Sequence, residues 1–206
     1  MKENSVDHFK HKSKSWDMSS RRVKNAKSIA DLIVKNIKFD PSMEVMDLGA
    51  GTGLLSYFIA PHVSKIVAVD NSPSMLEEFK NKAPEFDSDT EMIAADISKE
   101  EIDRTFDGII SSMTIHHVKD TRALFSTLYS LLNENGFIAI ADLDTEDGSF
   151  HSDDTGVFHH GFDRELLEKV AKEAGFQEIR FDLASTISKP QCDFTVFLMT
   201  AHKHSA

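Results

Sequence analysis

The chain has 206 residues, 40% of them hydrophobic, which suits one domain with a full core and leaves little for a second. Its net charge of −11 argues against nucleic-acid binding by the body of the protein, and its single cysteine, Cys192, excludes an internal disulfide framework or a multi-cysteine metal site. No apolar run approaches the roughly 20 residues of a membrane span, and the start of the chain lacks a signal peptide's apolar region, so we expect a cytoplasmic protein.

The positive charge is concentrated at the start of the chain. Residues 1–30 contain eight Lys and Arg against three acidic residues, a local charge of +5. This segment is either a mobile basic arm or a lid that becomes ordered when a ligand binds. Trp16 either closes over the bound ligands or anchors the arm on the body. We therefore divide the chain into an N-terminal arm and helix, 1–40, and a main domain, 41–206.

Apolar residues alternate between strand and helix spacing along most of the chain. Strands are predicted at 44–48, 65–70, 91–96, 106–113 and 137–143. Helices are predicted at 21–37, 53–60, 72–83 and 120–136. Such alternation is typical of an α/β fold in which a parallel sheet is covered by helices on both faces.

The alternation ends after residue 143. Residues 144–162 are a long polar stretch that follows the carboxyl end of a strand, so we predict a substrate-side lid or loop there. A helix at 163–175 and strands at 178–185 and 193–201 complete the chain. Because the connection between these strands is too short for a crossover helix, they should form an antiparallel pair at one sheet edge. Cys192, beside the last strand, is expected in the core.

The sequence VMDLGAGTG at 45–53 places three glycines at alternate positions between a strand and a helix. Turns of this kind bind nucleotide-like ligands. A dinucleotide fingerprint has its third glycine where this chain has Leu54, and the carboxylate of Asp47 would repel a pyrophosphate. The same carboxylate suits a ligand with an ammonium and a sulfonium group. The loop therefore favours an adenosyl-amino acid over the nicotinamide dinucleotide of an oxidoreductase.

Two further acids follow the second and third predicted strands. Asp70 lies about 20 residues beyond the glycine loop, where an acid can hydrogen-bond an adenosine ribose. Asp96 can accept a hydrogen bond from an adenine amino group, with Ile97 as an apolar neighbour of the ring. The alternative for Asp96 is a helix-capping or turn residue.

Taken in order, VMDLGAGTG, VAVDNSPSML, AADIS and FDGIISSMTIHHVKD resemble the class I S-adenosylmethionine-dependent methyltransferases, and most of all small-molecule enzymes of the ubiquinone/menaquinone-biosynthesis type. The resemblance is strong over residues 44–142 and elsewhere rests on architecture. It implies a Rossmann-like, doubly wound sheet of seven strands, mostly parallel, with an antiparallel C-terminal hairpin. It also implies S-adenosylmethionine as cofactor, S-adenosylhomocysteine as product and a small molecule as acceptor.

Carried over by position, the resemblance assigns cofactor contacts along four strand ends. Asp47 and the backbone of Gly49 and Gly51 would contact the methionine moiety, Asp70 would bind the ribose, and Ser112 would lie near the transferring methyl group. The full predicted set is Asp47, Gly49, Ala50, Gly51, Asp70, Asn71, Met75, Asp96, Ile97 and Ser112.

Histidines supply the candidates for catalysis and acceptor binding. Methyl transfer is an in-line displacement at an activated sulfonium, so a base is needed only if the acceptor must lose a proton. His116 can be that base near neutral pH, and a loop-shaping role is the alternative. The predicted acceptor-binding residues are Trp16, His117, His151, His159 and His160. Their spacing matches no strong metal motif, and we expect no bound metal.

The sequence thus predicts an enzyme, a methyltransferase that acts on a small molecule, with neither nucleic acid nor a membrane span involved. Two alternatives stay open. One is a non-catalytic module that binds the cofactor or its product, and the other is a protein or RNA methyltransferase that docks its substrate through the basic arm. The sequence does not identify the acceptor or the oligomeric state.

Overall fold

The computed structural model describes residues 13–152 and 155–205, except for the side chains of Ser13, Lys14 and Trp16. The predicted role of the Trp16 side chain therefore lies outside the described part of the protein. Within that part the strands are β1 (Glu44–Leu48), β2 (Lys65–Asp70), β3 (Asp89–Ala94), β4 (Phe106–Ser112), β5 (Leu132–Leu143), β6 (Gln177–Ser188) and β7 (Asp193–His202).

The helices cover the predicted positions. They are α1 (Ser20–Asn36), α2 (Leu54–Ile59), α3 (Pro73–Lys82), α4 (Thr121–Ser130) and α5 (Arg164–Ala174). Short 3-10 helices lie at Ser13–Met18, Ala60–His62, Ala83–Glu85 and Ile115–His117. In the described ranges, no helix combines the length and the apolar character that a membrane crossing requires.

The seven strands form one sheet in the order β3-β2-β1-β4-β5-β7-β6. Strands β1 to β5 are parallel, whereas β7 runs antiparallel to both β5 and β6. The predicted fold class and the C-terminal antiparallel pair are confirmed. The strand order reverses between β1 and β4, and the carboxyl ends of the strands at such a point form the usual ligand-binding crevice.

Both faces of the central strands β1, β2, β4 and β5 are buried, so successive residues of these strands pack into different cores. Val45 packs in the core that includes Ile33 of α1, and Met46 packs in the core that includes Leu128 of α4. Strands buried on both faces read as continuous apolar runs, as β1, β2 and β5 do in the sequence. A ligand therefore approaches the strand ends and not the sheet faces.

Capping residues mark the ends of several helices. The side chains of Ser72, Asp120 and Asp163 each accept a hydrogen bond from a backbone N–H in the first turn of α3, α4 and α5. Gly175 ends α5 with a φ of 109°, a conformation that favours glycine. These caps fix where each helix starts beside the strand before it.

Three sequence-based expectations are wrong. Helix α4 ends at Ser130, not at residue 136, and β5 begins at Leu132 because Asn135 adopts a φ of 62° and the chain continues as an irregular strand. Strand β3 lies two residues earlier than predicted. Cys192 is exposed, because it belongs to the turn between β6 and β7 and not to the apolar strand that follows.

Candidate functional site

The predicted glycine loop lies at the carboxyl end of β1, beside the point where the strand order reverses. Gly49, Gly51 and Gly53 have φ angles of 67°, 56° and 82°, which L side chains rarely adopt. A Cβ on Gly49 would lie 2.2 Å from the Thr114 side chain, whereas a Cβ on Gly51 would meet nothing closer than the Gly49 carbonyl at 4.0 Å. Gly49 is therefore required for packing, and the Gly51 backbone is open to a ligand.

Asp70 fixes this loop from the end of β2. One carboxylate oxygen accepts a hydrogen bond from the Gly51 N–H at 2.8 Å, and the other accepts one from the Ser72 N–H at 2.8 Å. Each carboxylate oxygen can accept a second hydrogen bond. Asp70 can therefore orient the glycine loop and bind a ligand hydroxyl group at the same time.

Asp47 is a carboxyl group in the core at the end of β1. It is 1% exposed and accepts a hydrogen bond from the Ser56 hydroxyl at 2.5 Å. Burial, with a smaller contribution from the charge of Asp70, raises the pKa of Asp47 to about 7, although the Ser56 hydrogen bond opposes the shift. A cationic ligand nearby would favour the ionised form.

This raised pKa predicts a stability that falls as pH rises. The folded protein favours protonated Asp47, so the stabilisation is full below the ordinary carboxyl pKa and is lost as pH rises through about 7. Between pH 5 and pH 8 the wild type should lose about 2–3 kcal/mol more free energy of unfolding than Asp47→Asn does, since one pKa unit equals about 1.4 kcal/mol. Urea unfolding of both proteins measures this; equal losses would show that Asp47 is already ionised at pH 5.

The remaining predicted cofactor residues surround the loop at different depths. Asp96 accepts hydrogen bonds from the Ser98 backbone and hydroxyl and pairs with Lys99 at 2.8 Å, so its carboxylate stabilises the turn that follows β3. Burial raises the pKa of Asp96, but the hydrogen bonds from Lys99 and Ser98 outweigh it and hold the pKa below its ordinary value. Ala50 and Met75 are buried, Ile97 and Ser112 are partly buried, and Asn71 is exposed.

The N-terminal segment contacts the glycine loop through a residue that the sequence did not single out. Asp17, in the 3-10 helix Ser13–Met18, accepts a hydrogen bond from the Thr52 hydroxyl at 2.5 Å and forms an ion pair with Lys82 of α3. The end of the basic arm is therefore docked at the entrance of the site.

Three histidines form a cluster beyond the end of β4, which we call the histidine cluster: His116, His117 and His151. Ring centroids are 4.2 Å apart for His116 and His117, and 4.9 Å apart for His116 and His151. His116 is 1% exposed, and its Nδ1 lies 2.7 Å from a carboxylate oxygen of fully buried Asp142 in β5. Asp142 also accepts a hydrogen bond from the His116 backbone N–H. This geometry places the Nδ1 proton towards Asp142.

The opposite nitrogens of two of these rings are buried without a partner. Among the described residues, neither His116 Nε2 nor His151 Nε2 has a hydrogen-bond partner. Buried polar atoms in native proteins are nearly always paired, and exceptions mark functional groups or ligand sites. Burial, and then the like charges of His116, His117 and Lys189, lower the pKa of His151 to about 4, so its ring is neutral near neutral pH.

The other predicted histidines form contacts between the end of β4 and the polar stretch that follows β5, or within that stretch. His117 Nδ1 donates to the Gly156 carbonyl at 2.7 Å, His159 Nε2 lies 3.0 Å from the Val118 carbonyl, and His160 pairs with Glu146 at 3.3 Å. His151 thus joins His116, whereas His159 and His160 contact Val118 and Glu146 and lie outside the histidine cluster. In residues 13–152 and 155–205, no group of three His, Cys, Asp or Glu side chains has the arrangement of a metal site.

Sequence reasoning missed Asp142 and Thr114. Asp142 carried a usable signal, because an acid inside the apolar run FIAIADL must have a partner when it is buried. Thr114 carried none, since its contact with Gly49 depends on how β4 ends beside β1.

Comparisons with known proteins agree with this geometry. The sequence model of a family described as methyltransferase domain matches residues 20–180. An uncharacterized methyltransferase of Schizosaccharomyces pombe is 30% identical over 79% of this chain, and trans-aconitate 2-methyltransferase of Enterobacter sp. is 30% identical over 71%. The chain spans 62% and 52% of the lengths of these relatives.

A solved structure shares the fold at low identity. Phosphoethanolamine N-methyltransferase 2 of Haemonchus contortus, in complex with S-adenosyl-L-methionine, superimposes with a TM-score of 0.72 at 17% identity. The match covers 98% of this chain and 60% of that protein.

Proposed function

The chain belongs to the class I S-adenosylmethionine-dependent methyltransferases, and from this membership we propose that it methylates a small molecule with His116 as the catalytic base. S-adenosylhomocysteine is the second product. The observation that carries this proposal is the buried pair of His116 and Asp142, in which His116 Nε2 has no partner among the described residues.

The residues at the strand ends fit the cofactor. The open backbone of Gly51 and the neighbouring carboxyl group of Asp47 suit the methionine moiety, whose ammonium group favours ionised Asp47. Asp70, at the end of β2, is assigned to the ribose hydroxyls. Asp96 and Ile97 are assigned to the adenine, and Ser112, at the end of β4, to the surroundings of the methyl group.

His116 is suited to accept a proton during the reaction. Bound S-adenosylmethionine would supply a methyl group on a sulfonium. When the acceptor's lone pair bonds to the methyl carbon, the electrons of the broken C–S bond stay on sulfur. The acceptor's proton is accepted by His116 Nε2. Asp142 is a positioning residue: it orients the ring through Nδ1 and stabilises the imidazolium. A buried imidazole without such a carboxylate would resist protonation.

The surroundings of His116 support a small acceptor over a macromolecule. Two residues of the polar stretch after β5 lie against His116: the Phe158 N–H donates to the His116 carbonyl at 2.9 Å, and the His151 ring packs on the His116 ring. A side chain that is 1% exposed reaches only a substrate that enters an enclosed space. The name of the relative trans-aconitate 2-methyltransferase also describes a small-molecule acceptor for that protein.

Calorimetric titration with S-adenosylmethionine, S-adenosylhomocysteine and NAD tests the cofactor part of the proposal. Both adenosyl compounds should bind, and NAD should not, because Leu54 and Asp47 do not suit a pyrophosphate. Release of S-adenosylhomocysteine in the presence of a metabolite pool then tests turnover. Binding without any release would support the non-catalytic module instead.

A further inference from the structure

Lys189 lies in the turn that connects β6 and β7, beside the histidine cluster. Because β7 runs antiparallel to β5, with Val196 opposite Leu143, this turn is at the carboxyl edge of the parallel strands. No local pattern assigns a role to Lys189, since its place at this edge depends on the pairing of three strands.

Aromatic rings connect this lysine to the proposed base. The Lys189 ammonium lies 3.9 Å from the ring centroid of Phe150, and this ring lies 4.9 Å from His151. His151 in turn lies 4.9 Å from His116. The ammonium and the His116 imidazole are therefore two rings apart, a separation that a small metabolite can span.

The charge of Lys189 has no acidic partner in the described structure. Its ammonium donates to the Phe150 carbonyl, and within the described ranges no carboxylate lies within 4.0 Å of it. The half-buried Lys65 and Lys82, by contrast, each pair with acids. A lysine ammonium has three donors, so two are available to a ligand.

The acid near Lys189, Glu146, contacts groups other than the Lys189 ammonium. Glu146 is 6% exposed, and its carboxylate accepts hydrogen bonds from the Gly148 and Phe150 N–H groups and pairs with His160. Burial, followed by the like charge of Arg21 in α1, lowers the pKa of Lys189, although Glu146 opposes this. The Lys189 ammonium therefore lies near a second positive charge, that of Arg21, and a bound anion would offset both.

We propose that the methyl acceptor carries a carboxylate or phosphate group, which binds the Lys189 ammonium with Arg21 nearby, while the acceptor's nucleophilic atom lies at His116 Nε2. This inference rests on the proposed function and adds the chemical class of the substrate. The two fixed points, an ammonium at one end and a base at the other, select acceptors by length and by charge.

Anion binding tests the inference without an identified substrate. The protein is saturated with S-adenosylhomocysteine and titrated with inorganic phosphate and, in a separate experiment, with acetate. Sodium chloride of equal ionic strength is the control. The chemical shifts of the backbone amides are followed by NMR. At least one anion should give saturable shifts at Phe150, His151 and Lys189. The anion that binds more tightly identifies the group, phosphate or carboxylate.

Variants separate this role from general charge effects. Lys189→Ala should weaken the anion at least tenfold, and Lys189→Arg should retain most of the binding. Lys203→Ala is the matched control: Lys203 also lies over an aromatic ring, 4.8 Å from that of Tyr129, and also donates to backbone carbonyls, but at the opposite sheet edge. Absence of saturable shifts for both anions, or unchanged binding in Lys189→Ala, overturns the inference.

A turnover assay distinguishes this failure from failure of the proposed function. Acids and phosphate esters are compared with neutral amides and alcohols of the same skeleton, with S-adenosylhomocysteine release as readout. Lys189→Ala should raise KM for anionic acceptors at least tenfold and change kcat by less than about threefold. Equal use of neutral acceptors contradicts the anionic class alone, whereas anion binding without any methyl transfer contradicts the proposed function.

Discussion

Replacing His116 with alanine should lower kcat for methyl transfer by about 10²- to 10⁴-fold, the usual contribution of a positioned base. The ring is held by Asp142 through Nδ1, so loss of the imidazole removes the proposed proton acceptor and leaves the strand ends assigned to the cofactor in place. The Kd for S-adenosylhomocysteine, measured by calorimetry, should change by less than about threefold. Steady-state release of S-adenosylhomocysteine measures kcat.

Two companion variants make this result specific. Asp142→Asn should lower kcat while KM stays nearly constant, because an amide cannot stabilise the imidazolium as a carboxylate does. His160→Ala is the control, since His160 belongs to the same segment as His151 but is 45% exposed and pairs with Glu146, outside the histidine cluster. If His116→Ala kept kcat within about threefold of the wild type, His116 would have only the loop-shaping role.

Replacing Asp70 with alanine should weaken S-adenosylmethionine binding by about 1–3 kcal/mol, or about 5- to 150-fold in Kd. The substitution removes the acceptor assigned to the ribose and also the hydrogen bonds from the Gly51 and Ser72 N–H groups that orient the glycine loop. Calorimetric titration measures the change.

Asp107→Ala separates cofactor binding from general destabilisation. Asp107 also accepts two hydrogen bonds, from the Glu44 N–H at 2.9 Å and from the Asn133 amide at 2.8 Å, but it lies at the opposite edge of the sheet. We expect Asp107→Ala to lower the free energy of unfolding and to leave the Kd for S-adenosylmethionine unchanged. Equal affinities of Asp70→Ala and the wild type would remove Asp70 from the cofactor site.

The fold was predictable from the sequence because its signals are local. Apolar runs of strand length, helical spacing between them, and caps at Ser72, Asp120 and Asp163 each depend on neighbouring residues alone. The glycine loop followed for the same reason, since the positive φ angles of Gly49, Gly51 and Gly53 favour glycine over residues with a side chain. The end of α4 was mispredicted because the irregular start of β5 is set by pairing with β4, a contact between distant residues.

The candidate site was predictable only in part. The sequence by itself determined the strand-end residues, Asp47, the glycine loop and Asp70, because parallel strands must bring their carboxyl ends to one edge. Tertiary structure alone decided which histidines share a space, that Asp142 orients His116, and that Lys189 lies close to His151. These contacts join residues far apart in the chain, and their distances are fixed by sheet register and loop packing, which no local pattern encodes.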